Sequence, residues 1–145
     1  MAGVAGGRLV LPLPPTGNTS HRVVRAGARL AVVTTPQARA FREEAGWRAR
    51  AWRGRTGWRP PEAGAPVALW FWVFWPDRRR RDVANLIPEL LNALEGVLYA
   101  DDRWVLPRAA AMAVDPAAPR VECWLSTDLA AWPPAEEAGG AEQGG

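Results

Sequence analysis

The chain has no lysine: all 18 of its basic residues are arginine, set against 15 acidic ones. Cysteine and histidine occur once each, as Cys123 and His21. A single cysteine excludes a disulfide scaffold and, in a predicted strand, reads as a core thiol. A single histidine excludes a histidine-rich metal site. No apolar run is long enough to span a bilayer, since the strongest, over 65–75, is far too short. The start of the chain lacks a charged region followed by a long apolar run, and Pro12, Pro14 and Pro15 interrupt the only candidate. These absences lead to the expectation of a soluble cytoplasmic protein with no membrane association. Its 145 residues suit one domain.

What is present is charge, unevenly placed. Through Arg120 there are 18 basic and 10 acidic residues, a net of +8, and no basic residue follows. Such asymmetry favours an anionic partner such as nucleic acid. Arginine's planar fork matches phosphate better than a lysine point charge does. Genomic base composition is an equally good account of the missing lysine, because alanine, glycine and proline are also abundant.

The pattern along the chain predicts a mixed α/β fold. Arg8 to Leu13 reads as a short strand closed by Pro14-Pro15-Thr16-Gly17-Asn18, and Arg22–Arg25 with Leu30–Thr34 reads as a hairpin. Thr35 and Pro36 suit the N-cap and first position of a helix, with Phe41, Ala45, Arg48 and Trp52 at helical spacing. Residues 53–66 read as a surface loop carrying Arg53, Arg55 and Arg59. Val67 to Trp75 is apolar on both faces, as a central strand covered on two sides would be. Trp70 and Trp72 are readable as base-stacking platforms or as buried packing.

A second helix should follow, with Leu86, Leu90, Leu91, Leu94 and Leu98 as its stripe. An N-cap at Asn85 would make Pro88 the third helical residue and leave Asp82 in the loop. Strands near Trp104–Val114 and Val121–Ser126 complete a domain over 8–127, and a flexible acidic tail over 128–145 is expected.

Between the central strand and the second helix stands Trp75-Pro-Asp-Arg-Arg-Arg-Arg-Asp82-Val-Ala-Asn85-Leu, and beyond that helix the pair Asp101-Asp102. Carboxylates flanking a helix could hold a hard divalent cation, which would polarise a phosphodiester and acidify a water nucleophile. Arg78, Arg79, Arg80 and Arg81 would then neutralise the backbone of the substrate. Helix-capping aspartates beside a solvated arginine loop are the structural alternative, with an arginine paired to Asp77 or Asp82.

Leu11-Pro-Leu-Pro-Pro15-Thr-Gly-Asn18 resembles the Pro-Pro-Ser/Thr-x-Asn opening of the RusA-type Holliday junction resolvases. The arginine run ending in Asp82, then Asn85-Leu86, a helix of similar length, and Asp101-Asp102 followed by Val105 resembles the core of the same family. The resemblance covers roughly 8–127 in order and spacing. It implies a small homodimeric α/β endonuclease, a single domain with a mixed β-sheet packed by two main helices. It implies magnesium-dependent cleavage, with manganese as a substitute, of four-way junctions or other branched DNA.

Carried over by position, Asp82 and Asp102 are metal ligands with Asp101 beside them, and Asn18 and Asn85 join the arginines in the DNA cleft. The family's second aspartate falls on Ala84, which has no metal-binding oxygen, and its helical lysine falls on Pro88, which has no cation. Glu89 is the helical candidate to compensate. With those two positions changed, a branched-DNA-binding protein that does not cleave is the leading alternative. A protein-interaction module built on the tryptophan-rich surface is the third.

Overall fold

Nine consecutive apolar residues, Val67–Trp75, form a strand (β4) with no side suited to water, so the rest of the chain is arranged to cover it. In the computed structural model, which describes residues 7–16 and 21–135, β4 lies inside a four-stranded sheet. Its companions are β1 (Leu9–Leu11), β5 (Val105–Val114) and β6 (Arg120–Ser126), in the order β1-β6-β4-β5. β6 runs antiparallel to β1 and β4, whereas β5 runs parallel to β4. A separate two-stranded ribbon joins β2 (His21–Ala26) to β3 (Arg29–Thr34). Its two-residue turn starts at Gly27, whose φ of 65° suits the glycine position of a type II′ turn. The mixed sheet and two helices make one small α/β domain, as the sequence predicts.

The two faces of the sheet are covered by different chemistry. Helices α1 (Pro36–Thr56) and α2 (Ile87–Leu94) cover the face carrying Val67, Leu69, Phe71, Val73 and Trp75. Thr35 caps α1 through its Oγ1, which accepts from the Ala38 N–H at 3.3 Å, and Pro36 follows in the first turn. The buried stripe of α1 is Phe41, Ala45, Ala49 and Trp52; Ala49 takes the place predicted for Arg48, which instead pairs with Glu44 at 2.8 Å.

On the opposite face arginines lie over the aromatics. Arg8 sits 3.5 Å above the Trp72 ring and Arg120 sits 3.9 Å above Phe74, with Glu122 paired to both. Trp70 is buried against Trp124, Leu129 and Ala131, and Trp132 packs on it with centroids 4.8 Å apart. Packing, not base stacking, therefore occupies Trp70.

Three boundaries differ from the sequence reading. α1 runs on through Thr56, so Arg53 and Arg55 are helical and only Arg59 is in the loop; Gly57, at φ 75°, ends the helix by donating its N–H to the Arg53 carbonyl. Asp82, not Asn85, is the capping residue: its Oδ1 accepts from the Ala84 N–H at 3.0 Å and starts a 3-10 turn, Val83–Leu86. That turn absorbs the extra residues, so Pro88 still falls in the first turn of α2, where it loses no helical hydrogen bond. Finally, α2 ends at Leu94, because Glu95 is extended and Gly96 turns the chain at φ 82°. Leu98 is buried from the following loop rather than from the helix.

A bidentate pair ties the helices together: Arg42 donates to Glu89 through Nε at 2.9 Å and Nη2 at 2.6 Å, with the Glu89 side chain only 2 % exposed. Breaking it from the arginine side strands a buried carboxylate. Arg42→Ala is expected to lower unfolding free energy by about 3 kcal/mol in chemical denaturation. A loss below about 0.5 kcal/mol, the scale of an exposed pair, would contradict a structural role for it.

Candidate metal and phosphate site

The loop leaving β4 is organised by Asp77. Its carboxylate accepts from the Arg81 Nη1 at 2.6 Å and from the Arg79 backbone N–H at 2.9 Å. The Arg81 hydrogen bond, with help from that amide, pulls the Asp77 pKa down to about 2. Arg81 also lies over Trp75, with its Cζ 5.0 Å from the ring centroid. Of the four-arginine run, Arg81 is thus folded into its own loop. Arg78, Arg79 and Arg80 are exposed and form no ion pair among the described residues. They line a hollow of about 350 Å³ with Met112, Ala113 and Val114 at the C-terminal end of β5.

Asp82 follows immediately and is exposed, with one carboxylate oxygen engaged in its cap. Asn85 is also exposed; its backbone N–H reaches the Asp82 carbonyl at 3.1 Å, and its side chain caps nothing. Asn18 lies outside the described residues. Glu89 does not face this cleft, because it is buried against Arg42 between the helices. Ala84 is exposed on the 3-10 turn and Pro88 on the first turn of α2.

At the other end of α2 a second cluster forms. Glu95, Asp101 and Asp102 bring carboxylate oxygens within 4.8 Å of one another, close enough for the three to hold one cation. Sequence reasoning proposed Asp101 and Asp102 and missed Glu95. The available signal was Gly96: its left-handed φ reverses the chain after α2 and turns Glu95 back toward the aspartates. Glu95 Oε2 accepts from the Asp102 N–H at 3.0 Å, and Asp101 caps the 3-10 turn Asp102–Trp104 while pairing with Arg103 at 3.0 Å. A set of three oxygen donors fits a hard divalent ion such as Mg²⁺ or Mn²⁺.

The loop carrying this cluster is fastened from beneath. The Trp58 Nε1–H donates to the Leu98 carbonyl at 2.9 Å, Arg53 Nη1 to the Val97 carbonyl at 3.1 Å, and the Tyr99 hydroxyl to the Leu91 carbonyl at 2.7 Å. Burial, with Cys123 and the nearby acids adding to it, pushes the Tyr99 phenol far above its usual range, so it stays a neutral donor. Burial also pushes the Cys123 thiol up, which leaves it an inert core group.

The acidic groups stand at opposite ends of the parallel strand pair. Trp75 pairs with Val114 at one end and Val67 with Val105 at the other, and β4 covers roughly 26 Å at about 3.3 Å per residue. Asp82 adjoins Arg81 at the Trp75 end, whereas Asp102 lies just before Val105. Within one chain, then, Glu95, Asp101 and Asp102 come together and Asp82 is not among them.

The family described as Endodeoxyribonuclease RusA matches residues 12–125. No curated protein is a significant match to the chain.

Trp58→Phe keeps an aromatic ring in the core but removes the hydrogen bond to Leu98 along with part of the indole's packing. It should cost about 1–2 kcal/mol of stability and accelerate amide exchange across 95–102. Unchanged exchange in that loop would show that Trp58 does not fasten it.

Proposed function

Since the chain belongs to the RusA endodeoxyribonuclease family, we propose that it cuts branched DNA, four-way junctions above all, as a magnesium-dependent homodimer. The observation that carries the metal part is the close grouping of Glu95, Asp101 and Asp102. Glu95 brings a carboxylate oxygen that Ala84 cannot offer. A bound Mg²⁺, or Mn²⁺ in its place, would polarise the scissile phosphate and lower the pKa of the attacking water. Arg78, Arg79 and Arg80 hold the phosphate backbone, and Arg81 with Asp77 sets the shape of their loop. Asn85 contributes a polar contact from its exposed place on the 3-10 turn, and Asn18 joins the DNA-contacting set by the family resemblance of its motif.

The dimer answers the separation of the acids. β5 is an edge strand, and among the described residues only β4 pairs with it. Its outer half is exposed and mostly small and apolar, with Met112 62 % accessible. A free edge of this kind is a template for a second copy. Two β5 edges related by a two-fold axis run antiparallel. That arrangement carries the Asp82 end of one chain toward the Asp101–Asp102 end of the other, so each cleavage site draws on both chains. The absence of a lysine at Pro88 and of a carboxylate at Ala84 supports one alternative, a junction-binding protein of the same fold without cleavage. No helix among the described residues is long and apolar enough to cross a membrane.

Labelled four-way junctions incubated with Mg²⁺ should acquire paired nicks that Asp82→Asn and Asp102→Asn each abolish while junction binding persists. Mixing the two inactive variants should restore nicking, because a heterodimer then contains one intact composite site. A mixture that binds the junction but still does not nick it would mean that Asp82 and Asp102 act within one chain. Binding without cleavage by the unaltered protein would favour the non-cleaving alternative.

A further inference from the structure

The last half of α1 and the turn after it carry Arg48, Arg50, Arg53, Arg55 and Arg59 without one acidic residue between Glu44 and Glu62. Arg48 is paired with Glu44, and Arg53 is spent on the Val97 carbonyl. Arg50, Arg55 and Arg59 are exposed and form no ion pair among the described residues. The helix dipole favours cations in its last turn, which accounts for Arg53 and Arg55. It does not account for Arg50, which stands before that turn, or for Arg59, which stands beyond the cap. The four of these charges without a carboxylate partner repel one another, and an anion lying across them would relieve that repulsion.

The surface there is concave. Arg50, Arg53, Trp58 and Arg59 line a hollow of about 440 Å³ with Gly54 and Gly57, and Arg55 borders another of about 250 Å³ beside the half-exposed Trp47. Gly54 is helical, and a Cβ there would meet nothing within 4 Å. Alanine would favour the helix by about 1 kcal/mol, so neither backbone nor packing requires this glycine. It leaves the floor of the hollow open to a close-approaching ligand.

Position decides which ligand. Arg53 and Trp58 fasten the loop that bears Glu95, Asp101 and Asp102, so the arginine surface adjoins the acidic cluster and lies at the other end of the sheet from Arg78–Arg80. We infer that Arg50 and Arg59 in one hollow, with Arg55 on the neighbouring flank of the helix, form a second phosphate-binding surface, which takes the backbone of a DNA arm as it leaves the acidic cluster. The inference rests on the proposed DNA function and extends it: an arm is gripped on both sides of the cut, by the β4 loop on one side and by the end of α1 on the other. Arg53 is a positioning residue and also part of the wall.

The test is binding of a fluorescein-labelled immobile four-way junction, followed by anisotropy over a salt series. The proteins compared are unaltered protein, Arg50→Ala/Arg55→Ala/Arg59→Ala, the same three positions changed to lysine, and Arg79→Ala/Arg80→Ala. All five positions are exposed, and thermal unfolding checks that each variant is folded. The triple alanine variant should lower the slope of log K against log salt by about 2 to 3, near 0.9 per phosphate contact, and weaken binding at least about tenfold. The lysine variant should keep most of the slope. If the triple alanine variant binds like the unaltered protein while Arg79→Ala/Arg80→Ala binds weakly, the α1 surface is solvated and only this inference falls. If neither set alters binding, the DNA reading falls with it.

Discussion

The parallel pairing of β4 with β5 is the constraint on which the other features depend. Antiparallel neighbours can be joined by a tight turn, but parallel ones require the chain to travel back the length of the sheet. Here the return path holds the arginine loop, the Asp82 cap, α2 and the Glu95–Asp102 loop, in that order. Apart from Asn18, the polar residues that the family relationship points to are therefore strung along one crossover. The same geometry that makes the crossover necessary puts its first and last carboxylates at opposite ends of the strands.

Covering β4 explains why the polar groups are so firmly placed. Helices bury one face, and the Arg42–Glu89 pair locks those helices to each other. A carboxylate so buried is an unsuitable metal ligand, since its oxygens are already satisfied by a guanidinium. On the other face, guanidinium groups sit over indole and phenyl rings and are neutralised by Glu122 and Asp115. Such stacking keeps the charge wet at its rim while the ring is shielded. Arginines thus serve several ends: some cover aromatics, some hold loops or tie helices, and others stand exposed and unpaired, among them those at the two ends of the four-stranded sheet. The exposed unpaired ones are where an anionic partner has something to bind.

The acidic loop shows how local chemistry sets a site. Gly96 takes a conformation that side chains with a Cβ resist, and this stops α2 early and folds Glu95 toward Asp101 and Asp102. Trp58 and Arg53 satisfy carbonyls of that loop, and Tyr99 reaches from it to the Leu91 carbonyl of α2, so it is held by directed hydrogen bonds as well as by burial of Val97 and Leu98. A carboxylate cluster placed this way is preorganised for an oxygen-loving cation, with the loop's cost of ordering met in folding.

Much of the fold was legible without coordinates, because the signals were local. The two-sided apolarity of Val67–Trp75, the Thr35-Pro36 start of α1, the glycine turn of the hairpin and the leucine spacing around α2 each depend on neighbouring residues only. So did the candidacy of Asp82, Asp101 and Asp102, through order and spacing along the chain. The sequence did not decide which carboxylates meet, because that follows from strand direction, and β5 could not be known to run parallel to β4 from its own residues. Nor did spacing alone separate Glu89 from Glu95: both are acids near one short helix, Gly96 marks only a chain reversal beside the second, and packing shows that the first faces Arg42 and the second faces the aspartates. Residue type and spacing determined the elements and the class of chemistry. Tertiary structure decided the membership of the site, since a carboxylate's role depends on which charge the fold brings within a few ångströms of it.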